Sequence, residues 1–403
     1  MRLAPVKSLA ELAEAVQYGY TTSATDDPVG PHFLRITDIV PSQIDWTSVP
    51  YCQIDDKSRD KFSLASGDIV IARTGATVGY AKLIRDNPEA VFASYLVRIR
   101  IDPQRADPGY VGQIVESAIY KKFVLSRVGG AAQPNANAKV LSAFRLPIPD
   151  REIQARIASI LSAYDDLIEN NRRRIQLLEQ AARLIYKEWF VHLRFPGHEH
   201  VTITDGVPEG WARTHLSRII DTQYGFTESA TNDPVGPKFL RGTDINKTSY
   251  IDWSAVPYCP EDKLDFGKYK LLVDDILVIR MADPGKVAIV ETDVTAVFAS
   301  YLIRLKRKTG VNIPALYLFY VLGDDQYQGF ISGASSGSTR KSANAKLVVD
   351  FDILVPPIVL LELFVNQIQP LRQQIQTLLR ENSKLRQARD LLLPRLMNGE
   401  ITV

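Results

Sequence analysis

The stretch YGYTTSATDDPVGPHFLRITDI, residues 18–39, returns as YGFTESATNDPVGPKFLRGTDI at residues 224–245, with 17 of 22 positions identical. The likeness extends well beyond this segment. IDWTSVPYC (44–52) returns as IDWSAVPYC (251–259), and DIVIAR (68–73) returns as DILVIR (275–280). VFASYLVRIR (91–100) returns as VFASYLIRLK (297–306), and ANAK (136–139) recurs at 343–346. The offset stays at 206 or 207 throughout. A constant offset over so long a span means that one whole domain occurs twice, and a period of this size excludes a solenoid.

A chain of 403 residues is too long for a single core and calls for at least two domains. Its 45% apolar and 23% charged residues are ordinary for a globular protein. A net charge of +2 neither demands nor excludes a polyanionic partner, so any basic surface must be local. The opening MRLAPVKSLAELAEAV lacks a long apolar core, so no secretory signal is expected, and no run approaches bilayer-spanning length. Cys52 and Cys259 sit at equivalent places in the repeat, so neither a disulfide between them nor a zinc site is expected. The expected compartment is the reducing cytoplasm, with no membrane association.

Within each copy, DIVIAR and VFASYLVRIR read as strands, being rich in β-branched and aromatic residues. GYVGQIVESAIYKKFVLSR (109–127) and PALYLFYVLGDDQYQGF (314–330) each read as a helix. The fold expected is α+β: two similar mixed α/β domains joined by two long helices that form an antiparallel coiled coil with pseudo-two-fold character. The ranges are a first domain at 1–149, a central helix at 150–195, a second domain at 196–355 and a C-terminal helix at 356–403.

The helices carry the seam Ile168, Asn171, Ile175, Leu178, Ile185 and Trp189 in one, and Phe364, Ile368, Ile375, Leu378, Asn382 and Leu385 in the other. Such heptad spacing cannot be buried by one helix alone. If the helices run antiparallel with facing residue numbers adding up to 553, Ile168 faces Leu385, Ile175 faces Leu378, and Asn171 faces Asn382. A buried Asn pair would satisfy itself and penalise slipped registers. Pro370 predicts a kink or a restart in the second helix. Leu161, Leu177, Leu184 and Phe190 are expected on apolar outer faces that a partner would cover. A paired region of about 30 residues is roughly 45 Å long. Two similar heads so spaced suit duplex DNA, where half-sites one turn apart sit about 34–36 Å centre to centre.

The central stretch LPIPDREIQARIASILSAYDDLIENNRRRIQLLEQAARLIYKEWF and the tail LRQARDLLLPRLMNGEI resemble the helical regions of type I restriction–modification specificity (S) subunits. VPEGWARTHLSRIIDTQYGFTES and IARTGATVG resemble parts of their target recognition domains, although the first copy lacks the Gly210-Trp211 pair. The order of domain, helix, domain, helix makes the resemblance specific. It implies a non-catalytic subunit in which each recognition domain reads one half of a bipartite site on double-stranded DNA. The helices would set the spacing and dock two methylation (M) subunits, and two restriction (R) subunits would complete the nuclease. No cofactor is expected on this chain. S-adenosylmethionine would belong to the methylation subunit, which methylates adenine N6. The sequence itself holds no GxxxxGK[ST] motif and no Asn-Pro-Pro-aromatic or Asp-Pro-Pro-aromatic tetrad. His192, His198 and His200 read as surface histidines rather than a metal site.

Three loops per copy have the polar and cationic composition that duplex reading needs. The first loop offers Tyr20, Thr21, Thr22 and Ser23, against Phe226, Thr227, Glu228 and Ser229, with Lys238 nearby. The second offers Arg73, Thr74 and Thr77, against Arg280, Asp283 and Lys286. The third offers Gln133, Asn135, Asn137 and Lys139, against Ser338, Thr339, Arg340, Lys341, Asn344 and Lys346. Tyr20 and Phe226 could equally serve the core, Arg35–Asp38 and Arg241–Asp244 read as internal ion pairs, and DPVGP reads as a rigid turn. Similar domains predict similar inverted half-sites, which differ where Gln133 is replaced by Arg340. A structural adaptor that binds two proteins is the main competing reading. A duplicated nuclease is weaker, because Asp26-Asp27 becomes Asn232-Asp233 in the second copy.

Overall fold

The computed structural model describes residues 4–41, 43–86, 88–128, 134–260, 266–335 and 342–403. It divides into two compact units, Met1–Asn170 with Lys384–Val403, and Asn171–Ser383.

In the first unit a four-stranded antiparallel sheet has the order Ala13–Tyr18, Leu96–Ile101, Asp68–Ala72, Ala81–Leu83. The edge strand Ala13–Tyr18 alternates between half-buried and exposed residues, as a strand with one wet face should. Asp68–Ala72 is buried throughout, because it has a neighbour on either side and is covered on both faces. A parallel pair, His32–Leu34 with Ala90–Phe92, lies apart from this sheet, as does the antiparallel pair Val6–Ser8 with Arg145–Pro147. The second unit repeats the plan. Its four-stranded sheet runs Ile220–Tyr224, Leu302–Arg307, Ile276–Ile279, Val287–Ile289, and its side pairs are Lys238–Leu240 with Ala296–Phe298 and Ala212–His215 with Asp352–Val355.

Two expected elements turn out to be broken, each at the same place in both copies. VFASYLVRIR is two strands, because the chain turns at Ser94-Tyr95, where the Leu96 amide donates to the Ala93 carbonyl at 2.8 Å. The turn lets one run serve both the parallel pair and the main sheet. The expected helix at 109–127 is likewise two, Pro108–Val115 and Ala118–Arg127. At the break Ser117 turns extended, its hydroxyl donating to the Ile114 carbonyl at 2.6 Å, while the Glu116 carboxylate accepts from the Leu83 amide at 2.7 Å. The second copy breaks at Asp324, between Ala315–Gly323 and Asp325–Ser335. Buried tyrosines tie these helices down in both copies. Tyr120 donates to the Leu141 carbonyl at 3.0 Å and Tyr327 to the Val348 carbonyl at 2.8 Å, and burial pushes both phenols well above their ordinary pKa.

The long helices are Arg151–Tyr186 and Ile358–Met397. Each unit contains part of both, and in each the residue numbers rise along one helix as they fall along the other. In the first unit Ile157 and Leu161 share a core with Leu393 and Leu396. Ile168 is buried and Leu385 half-buried. In the second unit Ile175 packs with Ile375 and Leu378, Leu178 leans on that cluster, and Asn171 Nδ2 donates to Asn382 Oδ1 at 3.0 Å. Ile185, Ile368 and Phe364 continue the row. The Asn pair is buried, so it satisfies polar groups that would otherwise be stranded.

Of the kink or restart expected at Pro370, the restart does not occur, and the helix runs on through it. The lost backbone bond costs about 3 kcal/mol. Fully buried Ile368 before it and buried Arg372 after it hold the segment helical on either side. The central helix also departs from strict 3-4 spacing, passing into a π turn at Lys187–Val191. The extra residue per turn rotates Phe190 inward, with its ring 4.9 Å from Phe364 and 5.0 Å from Tyr317, while Trp189 stays 6.0 Å from Phe364. Phe190 is therefore not on an outer face, and neither is Leu161, which lies in the first unit's core. Leu177 and Leu184 are exposed, at 64% and 61%.

Candidate nucleic-acid interface

The loops singled out in the sequence meet at one end of each four-stranded sheet. In the first unit Tyr20 forms a bridge with Ala93, and the Ser94 amide donates to the Tyr20 carbonyl at 2.8 Å. The same turn accepts from the second loop, since the Arg73 amide donates to the Tyr95 carbonyl at 3.0 Å. Arg73 and Thr74 in turn engage the third loop. Thr74 bridges Asn135, and the Ala136 amide donates to the Arg73 carbonyl at 2.8 Å. The second unit repeats each link with Phe226 and Ala299, Ser300 and Phe226, Arg280 and Tyr301, and Met281 and Ser342.

One arginine stands at the centre of each cluster. The Arg73 guanidinium lies 4.9 Å from the centre of the Tyr18 ring, and that of Arg280 lies 4.8 Å from the Tyr224 ring. Both Nε atoms are buried and have no hydrogen-bond partner among the described residues. Arg73 also reaches Asn135 Oδ1 at 3.4 Å. The tyrosine hydroxyls are themselves committed, accepting from the amides of Ala138 and Ala345 at 2.9 Å each. A guanidinium held on an aromatic face keeps its planar fork in a fixed orientation, which suits a phosphate or a guanine edge.

Other candidates fall into two groups. Thr21, Ser23, Thr227, Ser229, Asn135, Lys139, Lys286 and Lys346 are exposed, while Thr22, Thr77 and Glu228 are half-buried. Asn137 and Asn344 are exposed, but their Oδ1 atoms cap short helices, accepting from Val140 at 2.9 Å and Leu347 at 2.8 Å. Lys238 is engaged within the fold, its ammonium 2.7 Å from the Val256 carbonyl and 3.9 Å from the centre of the Tyr258 ring. Tyr20 packs on Phe62 and Phe226 on Tyr269, with ring centres 5.4 Å apart in each case. Gln133, Ser338, Thr339, Arg340 and Lys341 lie outside the described residues.

Sequence reasoning passed over Tyr95 and Tyr301. They are 60% and 58% exposed, and they sit beside Arg73 and Arg280 through the backbone bonds just given. The signal was present: an aromatic residue identical in both copies, set in a run that otherwise reads as core. Much of the remaining identity serves the scaffold. A β-carbon at Gly19 or Gly225 would lie 2.3 Å from the carbonyl oxygen of Ala93 or Ala299. Arg35 pairs with Asp38 at 3.0 Å and Arg241 with Asp244 at 2.8 Å.

Among the described residues, no group of three or more His, Cys, Asp or Glu could hold a metal ion, and no helix is long and apolar enough to cross a membrane. Residues 9–180 match the family described as type I restriction modification DNA specificity domain. Over those residues the chain is similar to type I restriction–modification specificity subunits. The type I restriction enzyme MjaVIII specificity subunit of Methanocaldococcus jannaschii is 23% identical over 350 residues, covering 83% of this chain and 79% of the relative. The StySPI specificity subunit of Salmonella potsdam is 22% identical and covers 99% and 89%. In fold, the chain is similar to the crystal structure of a type I S subunit from M. genitalium. The TM-score is 0.54 at 15% identity, covering 98% of this chain and 96% of that one.

Proposed function

We propose that this chain is the DNA sequence-specificity subunit of a type I restriction–modification complex, and that it performs no chemistry itself. Each copy of the duplicated domain reads one half of a bipartite duplex site. The half-sites resemble each other in inverted orientation, because their readers share Arg73/Arg280, Tyr18/Tyr224 and Tyr95/Tyr301. The long helices set the spacing and dock two methylation subunits, which supply S-adenosylmethionine chemistry, and two restriction subunits join them in the cytoplasm. The observation that carries this reading is the duplicated loop cluster centred on an arginine, in a chain similar to type I specificity subunits.

The test is to co-express the chain with its cognate methylation subunit in a methylation-free host and map N6-methyladenine. A bipartite motif with related, inverted halves is expected. Methylation that lacks sequence preference, or that does not depend on this chain, would overturn the reading. Binding of the assembled complex should weaken steeply with salt, as phosphate contacts require.

A further inference from the structure

The two reading faces differ in one respect that bears on which base each accepts. In the second copy a cleft of about 570 Å³ opens at the loop cluster. Its walls include Ile279, Met281 and exposed Tyr301, and its lining includes the carboxylates Glu228 and Asp283. Gly242 also lines it, and a β-carbon built there meets nothing closer than Ile279, at 3.8 Å. The first copy has Ile36 at the place of Gly242, Ala72 at that of Ile279, Thr74 at that of Met281, and Thr22 at that of Glu228. Its second loop, Arg73 to Gly79, contains no acid. Ile36 is packed against the first unit's core.

Resting on the reading of the chain as a DNA specificity subunit, we infer that this cleft receives the major-groove edge of a cytosine, a discrimination made by the second copy alone. The cleft is continuous with the Arg280 cluster through Met281, so the duplex that Arg280 meets also faces the cleft. Two carboxylates repel a phosphate, so what enters is a base edge rather than the backbone. Guanine presents two acceptors in the major groove and thymine one, while adenine sets its N7 acceptor directly beside its N6 donor; a carboxylate opposes each of these acceptors. Cytosine presents its N4 amino donor and no acceptor, next to the apolar C5 edge. Glu228 already accepts from the Ser229 amide at 2.8 Å, which leaves exposed Asp283 as the principal acceptor. Ile279 and Met281 meet the C5 edge.

The inference is tested with the complex assembled from methylation subunit and wild-type, Asp283→Asn or Gly242→Ile chains, by methyl transfer to duplexes randomised across the site. Wild type should require C·G at one position of one half-site. Asp283→Asn should relax that requirement by roughly tenfold to a hundredfold, the range of a good base contact. Gly242→Ile should occlude the cleft and lose the same preference, while the other half-site stays as in wild type and reports that the chain has folded. Identical motifs for all three chains, or a change at a position other than C·G, would overturn the cleft assignment. A wild-type complex with no sequence preference would instead overturn the underlying reading.

Discussion

Arg85 and Glu291 occupy the same place in the two copies of the repeat and carry opposite charges. In the first unit Arg85 pairs with Asp165 of the central helix at 3.0 Å, and Gln113 donates to the same carboxylate at 2.8 Å. In the second unit the polarity is reversed. Glu291 receives both Nε and Nη2 of Arg372 from the C-terminal helix at 2.7 Å, and the helical Glu179 lies 3.9 Å from that arginine. The guanidinium comes from the domain in one copy and from the helix in the other. Duplicated domains that began alike have thus been matched to different helix faces by charge. A head placed on the wrong helix would bring like charges together, which disfavours the error beyond any loss of packing.

Breaking this match should have the largest effect. Arg372 is 3% exposed, so Arg372→Ala removes the buried cation from half-buried Glu291 and leaves it the Gln376 amide, which donates at 2.8 Å. Urea unfolding should show the second unit weakened by about 3–5 kcal/mol. The charge swap Glu291→Arg with Arg372→Glu should recover part of that loss, and Glu291→Arg alone should not. Next come the points where the copies are identical. Gly19→Ala and Gly225→Ala each force a methyl against a backbone carbonyl, and each should cost about 1–3 kcal/mol by the same measurement. Similar penalties in both units would show that this part of the repeat is pure scaffold. A penalty in one copy only would separate them. The smallest effect concerns Ala282, whose φ of 69° is left-handed where the first copy has Gly75 at 77°. Ala282→Gly should stabilise the second unit by up to about 1 kcal/mol, because the β-carbon strain disappears.

The duplication was legible because identical residues at a constant offset need no structural knowledge to detect, and the helix pairing because heptads constrain register. What escaped notice depends on non-local contacts. Nothing in VFASYLVRIR announces a turn, which exists because Gly19 approaches Ala93 from a distant part of the chain. That error concealed Tyr95 and Tyr301, since a residue assigned to a strand interior is not sought on the surface. Pro370 was weighed by its local cost alone, without the burial of its neighbours. Phe190 was placed by helical phase, which the π turn shifts. At the candidate site the arginines were found from composition. The capping duty of Asn137 and Asn344 and the engagement of Lys238 were not, because both depend on neighbours far along the chain or on the exact start of a short helix.

Leu393 and Leu396 complete the core built around Tyr110 and Leu161, with Ile401 and Val403 packed against it. That core otherwise consists of residues from the opening 161 positions of the chain. During synthesis the first unit therefore waits for Leu393 and Leu396 to leave the ribosome before its core can close. The later-made domain draws only on residues up to Ser383 and can be finished first.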